Sequence, residues 1–145
     1  MQTVRGLLRD KGSQVYSVAP EASVCDALNL LAEKNLGALV VLTREGDLAG
    51  IVSERDYARK VEVLGKTARE TSVREIMTER VVCVRPDQTV EECMALMTNK
   101  RIRHLPVIEG NTLIGIVSIG DVVKAIISEQ EFMIAQLENY ITGVR

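Results

Sequence analysis

The spacing of apolar residues along this chain changes period several times, and the changes come in two matching rounds. Val24, Ala27, Leu28 and Leu31 stand at i, i+3, i+4 and i+7, and so do Val90, Cys93, Met94 and Met97. That spacing lays one apolar stripe along a helix. Each predicted helix opens on a capping signal, Ser23-x-x-Asp26 and Thr89-x-x-Glu92, whose hydroxyl can accept from a backbone N–H of the first turn. A short extended segment and a proline come before each helix, Val15 to Val18 with Pro20 and Val81 to Val84 with Pro86. Two strands around a turn follow, Ala38 to Leu42 and Leu48 to Val52 in the first round, Leu105 to Ile108 and Leu113 to Val117 in the second. A second helix then opens near Asp56 or Asp121. The predicted order is β-α-β-β-α, twice.

The repetition extends to the residues themselves. Val18-Ala-Pro20-Glu-Ala-Ser-Val24 returns 66 positions later as Val84-Arg-Pro86-Asp-Gln-Thr-Val90, and Gly50-Ile-Val-Ser53-Glu-Arg-Asp56 returns 65 positions later as Gly115-Ile-Val-Ser118-Ile-Gly-Asp121. The slipped residue falls where the first copy reads Thr43-Arg-Glu-Gly-Asp47 and the second Glu109-Gly-Asn-Thr112. Both stretches read as hairpin turns, which absorb a change of length at least harm. Each unit is too small to hide its own sheet face, so the two copies are expected to pack on each other. The expected organisation is an N-terminal helical arm at 1–13, a first repeat at 14–64, a linker at 65–75, a second repeat at 76–128 and a C-terminal helix at 129–145. The apolar residues of that last helix (Phe132, Met133, Ala135, Leu137 and Tyr140) spread widely around it. They suit docking on its own module or a contact with a second copy.

Composition narrows the function classes. The chain is 46% hydrophobic but only 3% aromatic, with no tryptophan, so aliphatic residues must build the core. A net charge of −2 lacks the basic excess of a nucleic-acid protein. No apolar stretch reaches bilayer length and the N-terminal residues lack a signal-peptide core, which points to the cytoplasm and to no membrane partner. Cys25, Cys83 and Cys93 have neither CxxC nor metal spacing; they read as small buried hydrophobes in a reducing compartment. No nucleophile with its base, metal cluster or glycine-rich phosphate loop is visible, so no catalytic activity is expected.

The repeated Gly-aliphatic-aliphatic-Ser-x-x-Asp, the Leu105-Pro106-Val107 strand and the proline of each extended segment together resemble the signature of CBS (cystathionine β-synthase) domains. The resemblance runs from about Gln14 to Ser128, in both copies and in register. It implies a tandem pair of the kind called a Bateman module, similar to stand-alone bacterial CBS-domain proteins and their plant organellar relatives. The fold implied is α/β, two β-α-β-β-α repeats packed about a pseudo-twofold axis with extra N- and C-terminal helices. Two clefts that can hold AMP, ATP, NAD or S-adenosylmethionine come with it. The motif Asp is implied to take the ribose diol, and the Ser three residues earlier to contact phosphate. Elementary chemistry agrees, because one carboxylate can accept both hydroxyls of a cis diol and a helix start favours phosphate. The plainer reading makes each Asp a helix N-cap and each Ser a turn residue; their duplication in one frame favours the ligand role.

In the family each cleft joins the Asp motif of one repeat to the segment leading into the first hairpin strand of the other. Carried over, the first cleft would hold Ser53, Arg55 and Asp56 with Ile102, Arg103, His104, Leu105 and Pro106, and Arg59 and Lys60 one turn on. The second would hold Ser118, Gly120 and Asp121 with Leu36, Gly37, Ala38 and Leu39. The resemblance thus gives cations to one cleft and none to the other. Paired guanidinium groups favour a ligand with more than one phosphate at Asp56 (ATP, ADP or NAD), leaving AMP, an adenosine portion or nothing for Asp121. His104 reads as a phosphate contact or a structural hydrogen bond. The function implied is an adenosine-nucleotide sensor acting on an unknown protein target or through its own oligomer, a homodimer built as a four-repeat disc. The alternative is an interaction scaffold with degenerate clefts.

Overall fold

In the computed structural model of the protein, which describes residues 2–142, both capping signals are used. The Ser23 hydroxyl accepts from the Asp26 N–H at 3.0 Å and the Thr89 hydroxyl from the Glu92 N–H at 3.1 Å. They start helix α2 (Val24–Lys34) and helix α5 (Val90–Lys100). Ahead of α2 lie helix α1 (Val4–Lys11) and strand β1 (Ser17–Val18); after it come β2 (Ala38–Leu42), β3 (Leu48–Ser53), the short helix α3 (Glu54–Tyr57) and a π-helical turn (Ala58–Glu62). Helix α4 (Val73–Ile76) precedes α5, which is followed by β4 (His104–Glu109), β5 (Thr112–Ser118) and helix α6 (Ile119–Thr142). The mixed α/β character and the doubled element order are those the sequence predicts.

The chain divides into two compact units, one formed by residues 14–82 and one by residues 1–13 together with 83–145; Met1 and the last three residues lie outside the described range. In the first unit β1 runs parallel to β2 and β2 antiparallel to β3, in the order β1-β2-β3. In the second, β4 and β5 form the hairpin, and a parallel bridge from Val84 to Val107 stands where the first unit has β1. Both hairpins shift register at the matching place, between Val41 and Leu42 and between Val107 and Ile108. Leu39, Val41, Val52, Val61, Val73 and Ile76 join the α2 stripe of Val24, Ala27 and Leu31 in the core of the first unit.

The ends of the repeats differ from the sequence reading. Part of the expected linker is structural, since α4 buries Val73 and Ile76. The Val73 N–H bonds to the Ala22 carbonyl (2.8 Å), Arg74 to Pro20 (2.9 Å), and Val24 in return to Thr71 (2.8 Å). The arm does the same for the other unit: Val4 bonds to Gln88 (2.8 Å), Arg5 to Pro86 (2.9 Å), and Val90 to Gln2 (3.0 Å). Thr3-Val4-Arg5 and Ser72-Val73-Arg74 are therefore equivalent segments, and each completes the repeat that the sequence places further from it. The helix expected at 129 does not begin there, because α6 runs unbroken from Ile119 to Thr142. Of the three cysteines only Cys93 is fully buried; Cys25 and Cys83 are half-buried.

The repeated glycine has a steric reason. A Cβ on Gly50 would stand 2.7 Å from the Thr78 carbonyl oxygen, and one on Gly115 would stand 2.8 Å from Leu8 Cδ2. In each unit the segment that completes the repeat crosses the strand at this residue.

Candidate functional site

Both Gly-Ile-Val-Ser strands end on the serine that caps the next helix. Ser53 is the N-cap of α3, and the Asp56 N–H donates to its hydroxyl at 3.3 Å. The Asp56 carboxylate reaches back, accepting from the Ser53 N–H (2.9 Å) and hydroxyl (3.1 Å) through Oδ2. The second copy repeats this: the Asp121 N–H donates to the Ser118 hydroxyl (3.2 Å) and the Ser118 N–H donates to Asp121 Oδ2 (2.8 Å). This is a reciprocal capping box. The aspartates are thus not N-caps, the plainer reading of the sequence. The serines cap, and each Asp sits three residues into the helix as the serine's partner.

The segment leading into each hairpin lies beside the same motif of its own repeat. Ala38 pairs with Ser53 and His104 with Ser118 across the ladders. The Glu54 N–H donates to the Gly37 carbonyl (3.2 Å) and the Ile119 N–H to the Arg103 carbonyl (2.8 Å). Within its unit, the structure therefore brings Ile102, Arg103, His104 and Pro106 to the strand ends next to Ser118, Gly120 and Asp121. Leu36, Gly37 and Ala38 stand equally beside Ser53, Arg55 and Asp56. Arg103 and Gly120 are exposed, His104 and both aspartates half-buried, Ala38 and Pro106 buried.

A lysine holds each aspartate, and the two lysines come from unrelated places. Lys60, thrown back by the π-helical turn, lies 3.2 Å from Asp56 Oδ1 and donates to the Ile76 carbonyl at 2.8 Å. Thr78 donates to the same Oδ1 at 3.4 Å. Lys11, at the end of α1, lies 2.5 Å from Asp121 Oδ2 and donates to the Ile116 carbonyl at 2.9 Å. Asp56 thus has both oxygens engaged. Asp121 has Ser118 and Lys11 on Oδ2, and its Oδ1 carries no hydrogen bond among the described residues of its unit.

Sequence reasoning found the aspartates and serines through their repetition, and named Lys60 only as a nearby cation. It missed Lys11 and Thr78. No local signal marks Lys11, which meets its partner 110 positions along the chain.

The charges settle accordingly. Burial by itself pushes the Asp121 carboxyl up, but the Lys11 hydrogen bond, the Ser118 N–H and the Lys11 charge outweigh it and hold the group below its ordinary value. His104 is shifted below its ordinary value by burial; Asp121 works against this, and Lys11 and Arg103 add to it. His104 is therefore neutral at pH 7, with hydrogen-bonding capacity but no charge. No cluster of His, Cys, Asp and Glu suited to a metal ion exists among the described residues. No described helix is long and apolar enough to cross a membrane.

Known proteins share this fold. The CBS domain family matches twice, over residues 9–63 and 73–128. A mitochondrial CBS domain-containing protein of Arabidopsis thaliana is 40% identical over 149 residues, spanning 97% of this chain and 72% of that protein. Among solved structures, a protein with CBS domains from Burkholderia ambifaria superposes with a TM-score of 0.85 at 50% identity, covering 89% of this chain and 96% of the other. A hexameric CBS-CP12 protein from bloom-forming cyanobacteria superposes with a TM-score of 0.76 at 36% identity, covering 85% and 70%.

Proposed function

Because the chain belongs to the CBS-domain family as a tandem pair, a regulatory module whose relatives bind adenosine ligands, we propose that it senses an adenosine nucleotide of the AMP, ATP or NAD class. The observation that carries this reading is the duplicated strand-end serine with its reciprocally bonded aspartate. Capping fixes each carboxylate at the mouth of a strand pair, and Asp121 keeps Oδ1 for a ribose hydroxyl. Asp121 is the readier of the two, since a diol at Asp56 has to displace Lys60 or Thr78. Arg55 and Arg103 are the proposed phosphate contacts, with Ser53, Ser118 and neutral His104 as hydrogen-bonding neighbours. The role is regulatory rather than catalytic, in the cytoplasm, with a second copy of the chain as protein partner.

The test is a thermal-shift panel with AMP, ADP, ATP, NAD, NADH and S-adenosylmethionine. A selective binder raises the melting temperature by mass action, about 2.7 kcal/mol at a ligand concentration 100 times Kd. Asp121→Asn and Asp56→Asn keep a capping oxygen while removing the charge, and each should abolish the shift belonging to its own site. Arg103→Ala should weaken ATP or NAD, measured by titration calorimetry. Coupling Arg103→Ala with each Asp→Asn then tells which carboxylate shares a ligand with Arg103, as non-additivity marks groups acting on one ligand. Unchanged ATP and NAD affinity in Arg103→Ala sinks its phosphate role.

One observation favours the scaffold reading. Both carboxylates already have a lysine partner inside their own unit, so the sites could be internally satisfied. Absence of any shift across the panel would establish that reading in place of the sensor.

A further inference from the structure

Beyond Glu129 every described residue of α6 is exposed, yet Phe132, Met133, Ile134, Leu137, Tyr140 and Ile141 are all large and apolar. Met133 is 57% exposed, Leu137 61% and Tyr140 86%. A helix with such a face is stable when the face is covered, because a lone helix of this length is marginal in water.

The pattern becomes regular once the helix is taken from its real start at Ile119 rather than from 129. Val123, Ile127, Gln130, Ile134, Leu137 and Ile141 follow alternating steps of four and three, and all five apolar members are exposed. That is the seam of a left-handed coiled coil, with one polar residue near its centre, and it runs about 27 Å at 1.5 Å per residue. Lys124, Glu131 and Glu138 follow at heptad spacing on one flank of the seam. The opposite flank carries Ile126, Met133 and Tyr140. In a parallel pair each flank faces the opposite flank of its partner, so Lys124 meets no carboxylate. In an antiparallel pair like flanks face each other, and Lys124 of each copy lies by Glu138 of the other.

We propose that α6 is a docking surface for α6 of a second copy, in antiparallel orientation. Val123 then layers against Ile141 of the partner subunit, and Ile127 against Leu137 of the partner subunit. The two Gln130 amides fall in adjacent central layers, where a polar residue fixes register at some cost in stability. Glu131 faces its own counterpart at the dyad, so Glu131→Gln should tighten the pair. This interface does not depend on the nucleotide reading, and its test contains no ligand.

Sedimentation equilibrium of the full chain should give twice the 16.0 kDa protomer mass, and Leu137→Glu should give the protomer mass with an unchanged far-ultraviolet spectrum. Lys124→Glu and Glu138→Lys should each loosen the dimer by about tenfold, a change of about 1.4 kcal/mol, and the double exchange should restore it. Mixed Val123→Cys and Ile141→Cys chains should form a disulfide between unlike chains, located by peptide mapping. A monomeric wild-type chain at about 100 μM, a weak-association threshold on the usual affinity scale, would overturn the proposal. So would a dimer indifferent to Leu137→Glu, or a disulfide joining two Val123→Cys chains through the introduced thiols, the mark of a parallel pair.

Discussion

His104 and Asp121 are neighbours whose protonation responds to burial in opposite senses. The folded chain holds His104 below its ordinary value, chiefly through burial. In the unfolded chain it titrates near 6.5. As pH falls through 6.5 the unfolded state takes up a proton that the folded state refuses, so stability drops. The drop ends once pH passes below the folded value. The depressed carboxyls of Asp121 and Glu75 contribute in a lower window; their stabilisation is present above about pH 4 and is lost as pH falls through their folded values. Urea midpoints should therefore decline between pH 7 and 5 in the wild type, and His104→Gln should flatten that limb. An unchanged slope in the variant would remove His104 as its cause. At this scale the sequence was legible where residues repeat: Asp56 and Asp121 identify each other. Their bonding was not, because nothing local distinguishes a helix cap from the third residue that answers it, and Lys11 approaches through tertiary packing.

At the scale of elements, Gly50 and Gly115 occupy the same place but face different obstacles. The Cβ of Gly50→Ala meets the Thr78 carbonyl, part of the backbone bridge between Ile51 and Thr78 (2.8 and 3.0 Å), and cannot move it without breaking that bridge. The Cβ of Gly115→Ala meets the end of the Leu8 side chain, which can rotate away. Gly50→Ala should cost the 1–3 kcal/mol typical of overpacking, about 3–10 °C in melting temperature for a chain of this size, and Gly115→Ala distinctly less. Calorimetry of the two variants checks the order; equal losses would mean that the obstacle is not what sets the penalty. Helices α2 and α5 and both hairpins could be read in advance, since period, caps and turn residues agreed there. Two elements could not. The π-helical turn at Ala58–Glu62 has no marker in Tyr57-Ala-Arg-Lys-Val-Glu, and the start of the terminal helix was hidden because no proline, and no glycine beyond its first turn, interrupts Ile119 to Thr142.

For the whole molecule, the doubled sequence disclosed two repeats but not where each obtains its last piece. Thr3-Val4-Arg5 precedes Ser72-Val73-Arg74 by 69 positions, whereas the repeat bodies are 66 and 65 apart, so the match falls out of register with the rest. Packing then gives each piece to the other repeat. Deleting residues 2–13 should accordingly weaken the unit at 83–142, exposing Val90 and removing buried Val4, Leu7 and Leu8 from its core, while the unit at 14–82 keeps the bonds of Val73 to Ala22 and Arg74 to Pro20. Hydrogen exchange should show β4 and β5 amides losing protection and β2 and β3 amides retaining it. Loss in the first hairpin instead would contradict the assignment of the arm.

That exchange of end pieces sets a timetable for synthesis on the ribosome. Residues 14–82 form one compact unit, and they emerge as one continuous stretch that can close while translation continues. The arm is made before them and must wait, its apolar side uncovered, until residues 83 onward arrive some seventy positions later. The half finished last depends on the part made first, so premature termination after residue 82 would leave one complete unit and one orphaned helix.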